Sequence, residues 1–235
     1  MKRFSLIAAM AKSNRGIGWQ GTLPWKGTEE GKADINYFSH VTQNSTVIMG
    51  RKTWDSLPKK FRPLPSRNNI IVSKTLCDFD RYHNAGLFDN CARENYAQSL
   101  HSALDKCKGT DTKIFVIGGQ SLYNEAIGMK ECEKIYLTEI DDTSAPLMCD
   151  TFFPTVPSYF RLTHSLTHSS TLKFQTYTNQ MDFTSQECSY LSLLNEILLH
   201  GDSRSDRTGK GIRIEIYSAK WRMALACSLF PNGNQ

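Results

Sequence analysis

The sequence predicts an α/β protein with a twisted, mostly parallel sheet that is flanked by helices. Short apolar runs rich in branched residues, such as FSLIAAMA and NNIIVS, alternate with stretches of helical composition. This alternation is typical of crossover units on a buried parallel sheet. Two alternating runs then follow each other closely, at residues 159–170 and 171–180. They predict a closing antiparallel hairpin.

The elements follow in order along the first domain. Strands are predicted where branched apolar residues concentrate, at residues 4–11, 45–50, 68–73, 113–119 and 133–140. Helices are predicted between them, at residues 33–43, 51–58, 94–108 and 120–129. A glycine-containing loop at residues 16–25 precedes the first helix. Such a loop can close over a bound ligand.

A domain boundary is predicted near residue 182, so that residues 1–182 form one domain and residues 183–235 a short, helix-led C-terminal extension. Thr184 and Glu187 have the spacing of a capping box. Apolar side chains then recur on one helical face, at Tyr190, Leu191, Leu194, Ile197 and Leu198. Because this face needs a partner, it is expected to pack on the first domain, on another chain or on a missing domain, and dimerisation or docking through the helix is one outcome.

The composition indicates an ordinary globular protein, with 40% hydrophobic and 22% charged residues. The net charge of +5 lacks the clustering and aromatic interleaving of a nucleic-acid interface. No apolar run approaches the roughly 18 residues that a membrane span needs. The start MKRFSLIAAMAK also fits a signal peptide, although its short apolar run fits a first strand better.

The cysteines favour a cytoplasmic protein. They number seven and include no C-x-x-C pair, which argues for reduced thiols over a disulfide framework or a zinc site. His164 and His168 have a spacing that can bind metal on a helix, but their alternating context indicates exposed strand positions. No metal site is therefore predicted.

Two glycine motifs end strands and open helices. In VIGGQSLY the backbone of Gly118 and Gly119 can approach a ligand closely, and helix-opening amides can hold a phosphate. In VIMGRKTWDSL, Arg51 and Lys52 add positive charge beside Gly50, which suits the extra phosphate of NADPH. The alternatives are a tight strand-to-helix turn at Gly118 and Gly119, and a solvated basic helix start at Arg51 and Lys52.

An acid is predicted to face inward on the first helix. Asp34 shares a helical face with Phe38, one turn later. An acid beside an aromatic ring is costly unless it meets a polar partner, so Asp34 is a candidate functional carboxylate. A half-exposed surface acid is the alternative.

In their order along the chain, the motifs SLIAAMA, GIG, LPW, VIMGRKTWDSLP, FRPLPSRNNIIVS, IFVIGGQSLY, IYLTEI and DTFFP resemble the dihydrofolate reductase family. The resemblance covers about the first 180 residues. It implies a cytoplasmic enzyme that reduces 7,8-dihydrofolate, which can carry several glutamates, to 5,6,7,8-tetrahydrofolate with NADPH. The product would supply one-carbon metabolism and thymidylate synthesis.

The resemblance also implies roles for single residues. Asp34 would hydrogen-bond the pteridine and help to deliver a proton to N5, with Thr138 and Trp25 as catalytic partners, and Arg67 would bind the α-carboxylate of the substrate. The remaining substrate-binding positions are Ile7, Ala9, Phe38, Leu64 and Ile117. The cofactor-binding positions are Ala9, Ile17, Gly18, Gly50, Arg51, Lys52, Thr53, Ser73, Lys74, Gly118, Gly119, Ser121 and Tyr123.

The chain departs from the family pattern in two places. The segment KGTEEGKA, residues 26–33, is several residues longer than usual and is expected to form a surface bulge beside the folate entrance. Glu29 and Glu30 within it are alternatives to Asp34, but neither is followed by an aromatic residue one turn later. Ser66 stands where the family frequently has glycine, a change that is expected to be tolerated.

The C-terminal stretch GDSRSDRTGKG lacks the spacing of a P-loop. With the helix before it, it resembles the opening of thymidylate synthase, and Arg207 matches the arginine that binds the deoxyuridylate phosphate. The chain thus resembles a bifunctional dihydrofolate reductase-thymidylate synthase that is truncated early in its second half. Arg207 would belong to a vestigial phosphate site, and no synthase activity is expected.

Two other functions compete with the reductase. One is a non-catalytic folate-binding or regulatory relative that docks on a full-length synthase. The other is RNA binding through the basic C-terminal segment, which would weaken steeply with salt. The presence of Asp34, Arg67 and Thr138 together favours the reductase.

Overall fold

The computed structural model describes residues 2–74 and 95–181. These ranges fall within one unit, Met1–Asp182. The extension at residues 183–235, with Arg207, lies outside the described residues. Its helix, its docking role and the exact domain boundary therefore stay predictions.

The described chain alternates strands and helices, as its sequence predicts. The strands are β1 Phe4–Ala11, β2 Gly16–Gly18, β3 Thr46–Gly50, β4 Asn68–Val72, β5 Tyr96–Ala97, β6 Ile114–Val116, β7 Cys132–Ile140, β8 Thr151–Phe152, β9 Phe160–Thr167 and β10 Leu172–Asn179. The helices are α1 Glu29–Thr42, α2 Arg51–Ser56, α3 Leu100–Lys106 and α4 Gln120–Ala126, with a 3-10 turn at Lys59–Phe61.

Eight of these strands form one sheet in the order β5-β4-β3-β6-β1-β7-β10-β9. The pairs from β5 to β7 are parallel, whereas β10 runs antiparallel to both β7 and β9. The predicted fold class, with its closing antiparallel hairpin, is confirmed. Strands β2 and β8 form a separate antiparallel pair.

Alternating side chains of the central strands bury both faces of the sheet. Leu6, Ile48 and Val116 pack in a cluster with residues of α3 and α4. Their neighbours Ile7 and Val47 point the other way, into a cluster that includes residues of α1 and α2. Because both faces are covered, these strands are apolar throughout, which is why they could be found in the sequence.

The carboxyl ends of β1, β3, β4, β6 and β7 lie along one edge of this arrangement, since these strands run parallel. Ligands of open α/β sheets bind outside the carboxyl ends of the strands. Gly50 lies at the end of β3, and Gly118 follows β6. Their backbones meet, with the Gly50 N–H donating to the Gly118 carbonyl at 2.8 Å.

The predicted helix at residues 94–108 is wrong at its start. Tyr96–Ala97 form strand β5 beside β4, and α3 begins only at Leu100. The Ser99 hydroxyl caps this helix by accepting from the Ser102 N–H at 3.1 Å. The unpaired edge of β4 offers hydrogen bonds to the preceding residues, and this tertiary pairing outweighs their local helical preference.

The loop at residues 16–25 is partly ordered by pairing, since Gly16–Gly18 form β2 against β8. A Cβ atom at Gly16 would lie 2.1 Å from the Cys149 sulfur. The close contact therefore requires glycine at this position.

The expected surface bulge at residues 26–33 is also wrong. A turn at Lys26 and Gly27 leads into α1, which begins at Glu29, so most of the extra residues form the first turn of that helix. The Thr28 side chain caps it by accepting from the Gly31 N–H at 3.1 Å. A threonine followed by two glutamates is a favourable helix start.

Within the two described ranges, no helix has the length and apolar character that crossing a membrane would require.

Candidate active site

Asp34 is a buried acid on α1, with 8% of its surface exposed. Burial raises the pKa of its carboxyl from 3.8 to about 6. Thr138 and Trp25 act in the opposite direction, because their side chains donate hydrogen-bonding N–H or O–H groups toward the charged form. The carboxyl therefore changes its protonation close to neutral pH.

The predicted catalytic partners of Asp34 come from two other elements. Thr138, on β7, is 1% exposed and pairs with Ala9 of β1. Trp25, which precedes α1, is 2% exposed. Its buried indole N–H forms no hydrogen bond of standard geometry with a described residue, so it favours the charged form of Asp34 as a nearby N–H dipole.

The alternative acids lie outside this site. Glu29 is 84% exposed in its side chain and pairs with Lys32 at 2.6 Å. Glu30 accepts a hydrogen bond from the Thr171 hydroxyl at 2.8 Å. Both glutamates lie in the first turn of α1 and are bonded to other side chains, so the geometry favours Asp34 as the functional acid.

Apolar side chains predicted to line the substrate pocket come together in space. Ile7 and Leu64 belong to one buried cluster, against which Phe38 and Ile117 pack. Ala9 instead packs against the cluster that contains Trp25. These residues come from strands, a helix and a loop, and they divide between two buried clusters.

Arg67 lies at the other end of the same helix. Its Nε donates to the Pro65 carbonyl at 2.8 Å, and one Nη donates to the Thr42 hydroxyl at 3.1 Å. Its guanidinium also lies 5.7 Å from the centre of the Phe38 ring. A guanidinium has five N–H donors, and these two bonds use two of them. The rest suit a carboxylate ligand.

Arg67 faces a surface groove of about 330 Å³ on the outer side of α1. The groove is lined by Asn36, Ser39, His40, Gln43, Pro65, Ser66 and Arg67. Asp34 does not line it. The groove thus contains Arg67 and not Asp34.

Ser66 has a φ of +56°. This left-handed conformation costs a non-glycine residue about 1–2 kcal/mol. The requirement explains why glycine is frequent at this position in the pattern that the sequence resembles. The serine is accommodated, and its carbonyl accepts from the Asn44 N–H at 2.9 Å.

Asn69 is a site residue that the sequence analysis missed. It is 2% exposed, and its side-chain oxygen accepts from the Leu64 N–H at 2.9 Å. Its amide nitrogen donates to the carbonyls of Leu64, at 3.0 Å, and Arg67, at 2.9 Å. Asn69 therefore holds the loop that carries Leu64 and Arg67, two of the predicted substrate-binding residues. An amide in the apolar run NNIIVS was the signal in the sequence.

Replacing Asn69 with alanine is expected to destabilise the protein and to weaken the substrate site. Three hydrogen bonds are lost, and the buried backbone groups of Leu64 lose their partners, which predicts a loss of about 2–4 kcal/mol in the free energy of unfolding. Urea unfolding measures this loss. Asn68→Ala is the matched control, because Asn68 is exposed, and it should change stability by less than about 0.5 kcal/mol. Equal effects of the two substitutions would show that Asn69 does not hold the loop.

The predicted cofactor positions gather at the carboxyl ends of β3, β4 and β6. The Gly118–Gly119 peptide is cis, and Gly118 has a φ of +112°. A Cβ atom at Gly118 would lie 3.1 Å from the Tyr123 ring, and one at Gly119 would lie 3.3 Å from the Thr53 hydroxyl. Glycine at these two positions therefore allows the turn after β6 to pack closely against Tyr123 and Thr53.

The other cofactor positions differ in their surroundings. Arg51 forms an ion pair with Asp55 at 2.9 Å. Tyr123 is buried, and its hydroxyl donates to the Ile7 carbonyl at 2.7 Å. This side chain therefore links α4 to β1. Lys52, Lys74 and Ser121 are exposed, Ser73 is buried after β4, and Ile17 and Gly18 lie on β2.

Among residues 2–74 and 95–181, no three His, Cys, Asp or Glu side chains are grouped so as to hold a metal ion. The prediction that the protein has no metal site extends to the whole chain and stays a prediction.

A parallel sheet with two glycine turns that meet at its strand ends, together with buried apolar side chains and the buried acid Asp34, is typical of an α/β domain that binds a nucleotide cofactor and a small molecule. Comparison with known families is more specific. Residues 3–187 match the family model described as dihydrofolate reductase, and the chain belongs to this family. The predicted family is therefore confirmed.

Individual relatives agree with this assignment. Dihydrofolate reductase of Candida albicans is 38% identical over 63% of this chain and 74% of the relative. That of Drosophila melanogaster is 35% identical over 68% of this chain and 84% of the relative. Bifunctional dihydrofolate reductase-thymidylate synthase 2 of Arabidopsis thaliana is 31% identical over 87% of this chain. The chain spans 42% of that relative, and about half of the other bifunctional relatives that it matches.

Proposed function

We propose that this chain reduces 7,8-dihydrofolate to 5,6,7,8-tetrahydrofolate with NADPH. The observation that carries the proposal is the buried Asp34, whose pKa is raised to about 6 beside Thr138 and Trp25. In a member of this family, such a carboxyl is suited to hold a proton for the substrate at neutral pH. The catalytic and binding roles of the residues named below are parts of the same proposal.

Asp34 hydrogen-bonds the pteridine and raises the basicity of N5, so that the ring is protonated when its neighbouring carbon C6 is reduced. Thr138 orients the carboxyl, and Trp25 covers it. Ile7, Phe38 and the other apolar residues of the pocket exclude water, which strengthens the interaction between the carboxyl and the ring. NADPH, when bound, supplies the hydride.

The cofactor is proposed to lie across the strand ends. The backbones of Gly50 and Gly118 meet at one point beyond the strands, where the Gly50 N–H donates to the Gly118 carbonyl at 2.8 Å. Two glycine turns that meet at the carboxyl ends of parallel strands fit a dinucleotide. Arg51, Lys52 and Lys74 provide positive charge beside it and favour NADPH, which has an additional phosphate, over NADH.

The glutamate end of the substrate is proposed to lie along α1 toward Arg67. A bidentate contact between a guanidinium and a carboxylate is both strong and directional. The groove next to Arg67 continues past it toward Gln43 and leaves space for further glutamates. Asn69 keeps Arg67 in place.

The setting of the activity belongs to the same proposal. We place the chain in the cytoplasm, as a source of tetrahydrofolate for one-carbon metabolism and thymidylate synthesis. Dimerisation or docking through the predicted C-terminal helix is proposed from the amphipathic pattern at residues 184–198.

The loss of NADPH absorbance with dihydrofolate tests the function directly. Turnover that requires both reactants, and that is slower with NADH, is expected. Omission of dihydrofolate is the control for spontaneous oxidation. Tight folate binding without turnover would instead indicate a regulatory relative and would overturn the proposal.

A further inference from the structure

The first turn of α1 is built directly on the backbone of Trp25. The Thr28 hydroxyl donates to the Trp25 carbonyl at 3.0 Å and accepts from the Gly31 N–H at 3.1 Å. The Thr28 N–H also donates to the Trp25 carbonyl, at 3.2 Å. One side chain thus links the start of the helix to the residue that covers Asp34.

Gly31 allows this turn to approach Trp25 closely. A Cβ atom at Gly31 would lie 2.3 Å from the Trp25 carbonyl oxygen and 3.4 Å from the Cδ1 atom of its indole. Glycine in a helix costs roughly 0.5–1 kcal/mol relative to alanine. Here the contact requires it, because the atoms in the way are backbone.

The opposite side of the turn is held by the closing hairpin. The Thr171 hydroxyl donates to Glu30 at 2.8 Å. Leu172 and Phe174 of β10 pack in the same buried cluster as Trp25. The indole is therefore confined between the first turn of α1 and the hairpin.

The residues of this turn lie in the segment that is longer than usual for the family. We propose that Thr28 and Gly31 are positioning residues, which hold the Trp25 indole against Asp34 through the Trp25 carbonyl. Neither residue touches the reacting atoms. The kinetic part of the inference rests on the proposed reductase function, whereas the geometric part does not.

The test compares Thr28→Val with Thr28→Ser by NMR. Valine keeps the shape of the side chain and removes the hydroxyl, whereas serine retains it. The indole N–H resonance of Trp25, identified by its loss in Trp25→Phe, is followed against pH. The ionisable groups on the elements around the indole are Glu30, Tyr37, Tyr123 and His168 besides Asp34, and His168 is followed through its own imidazole resonances. Hydrogen bonds from its own backbone, Thr171 and Thr28 lower the pKa of Glu30, whereas burial raises the pKa values of Asp34, Tyr37 and Tyr123, so the carboxyl expected to titrate near pH 6 is Asp34.

In Thr28→Val the indole is expected to move away from Asp34. Because Trp25 lowers the pKa of this carboxyl, the titration midpoint should rise, by about half a pH unit. The amplitude of the indole shift should fall. Thr28→Ser should restore both. Gly31→Ala, which pushes on the same carbonyl, should displace the midpoint in the same direction.

Ser99→Ala separates positioning from simple helix capping. Ser99 caps α3 through a bond of the same length, 3.1 Å to the Ser102 N–H, on the other face of the sheet. The Ser99→Ala substitution should lower the free energy of unfolding about as much as Thr28→Val does. It should leave the Trp25 resonance and the midpoint of its titration unchanged. An unchanged midpoint in both Thr28→Val and Gly31→Ala would overturn the inference.

Kinetics provide a second readout. Thr28→Val should lower kcat several-fold at the acidic plateau and leave the KM for NADPH unchanged, with recovery in Thr28→Ser. An inactive unmutated chain with a normal Trp25 titration would contradict the reductase function, but would leave the positioning role supported.

Discussion

Asp34→Asn is expected to reduce kcat/KM for dihydrofolate by about two to four orders of magnitude at pH 7. An amide keeps the size of the carboxyl but cannot carry the negative charge or the exchangeable acidic proton. For the unmutated protein, kcat/KM should fall about tenfold per pH unit above a pKa near 6, because the protonated carboxyl is then lost. Initial rates of NADPH oxidation across pH 5 to 9 measure both effects.

The deficit of Asp34→Asn should shrink as the pH falls below 6, because the variant must take its proton from solution. Glu29→Gln and Glu30→Gln are matched controls, since each neutralises an acid in the same helix outside the buried site. They should retain nearly full turnover. If Glu30→Gln lost activity and Asp34→Asn kept it, the assignment of the acid would be wrong.

The same substitution is expected to stabilise the folded protein at neutral pH. The pKa of Asp34 is raised on folding, from 3.8 to about 6, so the folded state binds more protons between these values. The contribution of this group to stability is therefore lost as the pH rises through that window. One pKa unit corresponds to about 1.4 kcal/mol, which puts the loss at roughly 3 kcal/mol above pH 6.

The Asp34→Asn protein has no ionisable group at this position, so it does not lose this stability as the pH rises. Urea unfolding of both proteins at pH 4 and pH 7 should show the variant gaining about 2–2.5 kcal/mol relative to the unmutated protein between the two pH values, because pH 4 lies slightly above the unfolded pKa of 3.8. If the two proteins differed in their free energy of unfolding by the same amount at both pH values, folding would not raise the pKa of Asp34. Higher stability together with lower activity is the combination expected of a catalytic acid and not of a structural one.

Arg67→Ala is expected to lower kcat/KM for dihydrofolate by about 10- to 150-fold, the equivalent of losing charge-assisted hydrogen bonds worth 1.5–3 kcal/mol. The loss should fall on KM, because Arg67 lies at the far end of α1 from Asp34 and binds ground state and transition state alike. Arg67→Lys should recover only part of it, since an ammonium cannot form the bidentate pair.

Dihydropteroate, which lacks the glutamate, is the control for this variant. With that substrate, Arg67→Ala and the unmutated protein should give the same kcat/KM. An equal loss with both substrates would mean that the substitution damages the loop at residues 64–67 generally. Asn69→Ala should show that general pattern, because it also displaces Leu64.

The strands could be predicted from the sequence because burial on both faces of a parallel sheet leaves continuous apolar runs. Strand β1 was predicted with its observed bounds, Phe4–Ala11. Strand β5 was missed because Tyr96–Ala97 are only two residues long and pair at the sheet edge. The hydrogen bonds that define such an element come from a distant part of the chain.

The residues of the candidate site also divide into those that a local sequence pattern predicts and those that depend on the fold. Asp34 could be found because an acid and an aromatic ring one helical turn apart form a local pattern. Asn69 could not, because its three hydrogen bonds reach back to a loop whose path depends on the fold. The segment at residues 26–33 contains a local helix start in Thr28 and the two glutamates that follow it, whereas its contacts with Trp25 and Thr171 depend on the fold.

By itself, the sequence determined the fold class, the family and the position of the buried acid, since each depends on local periodicity or on the order of short motifs. Only the tertiary structure decided that Glu29 and Glu30 lie outside the site, that Asn69 holds the Arg67 loop, and that Thr28 and Gly31 pack on Trp25. These depend on distances between residues that are set by how elements pack, and packing is a property of the whole fold.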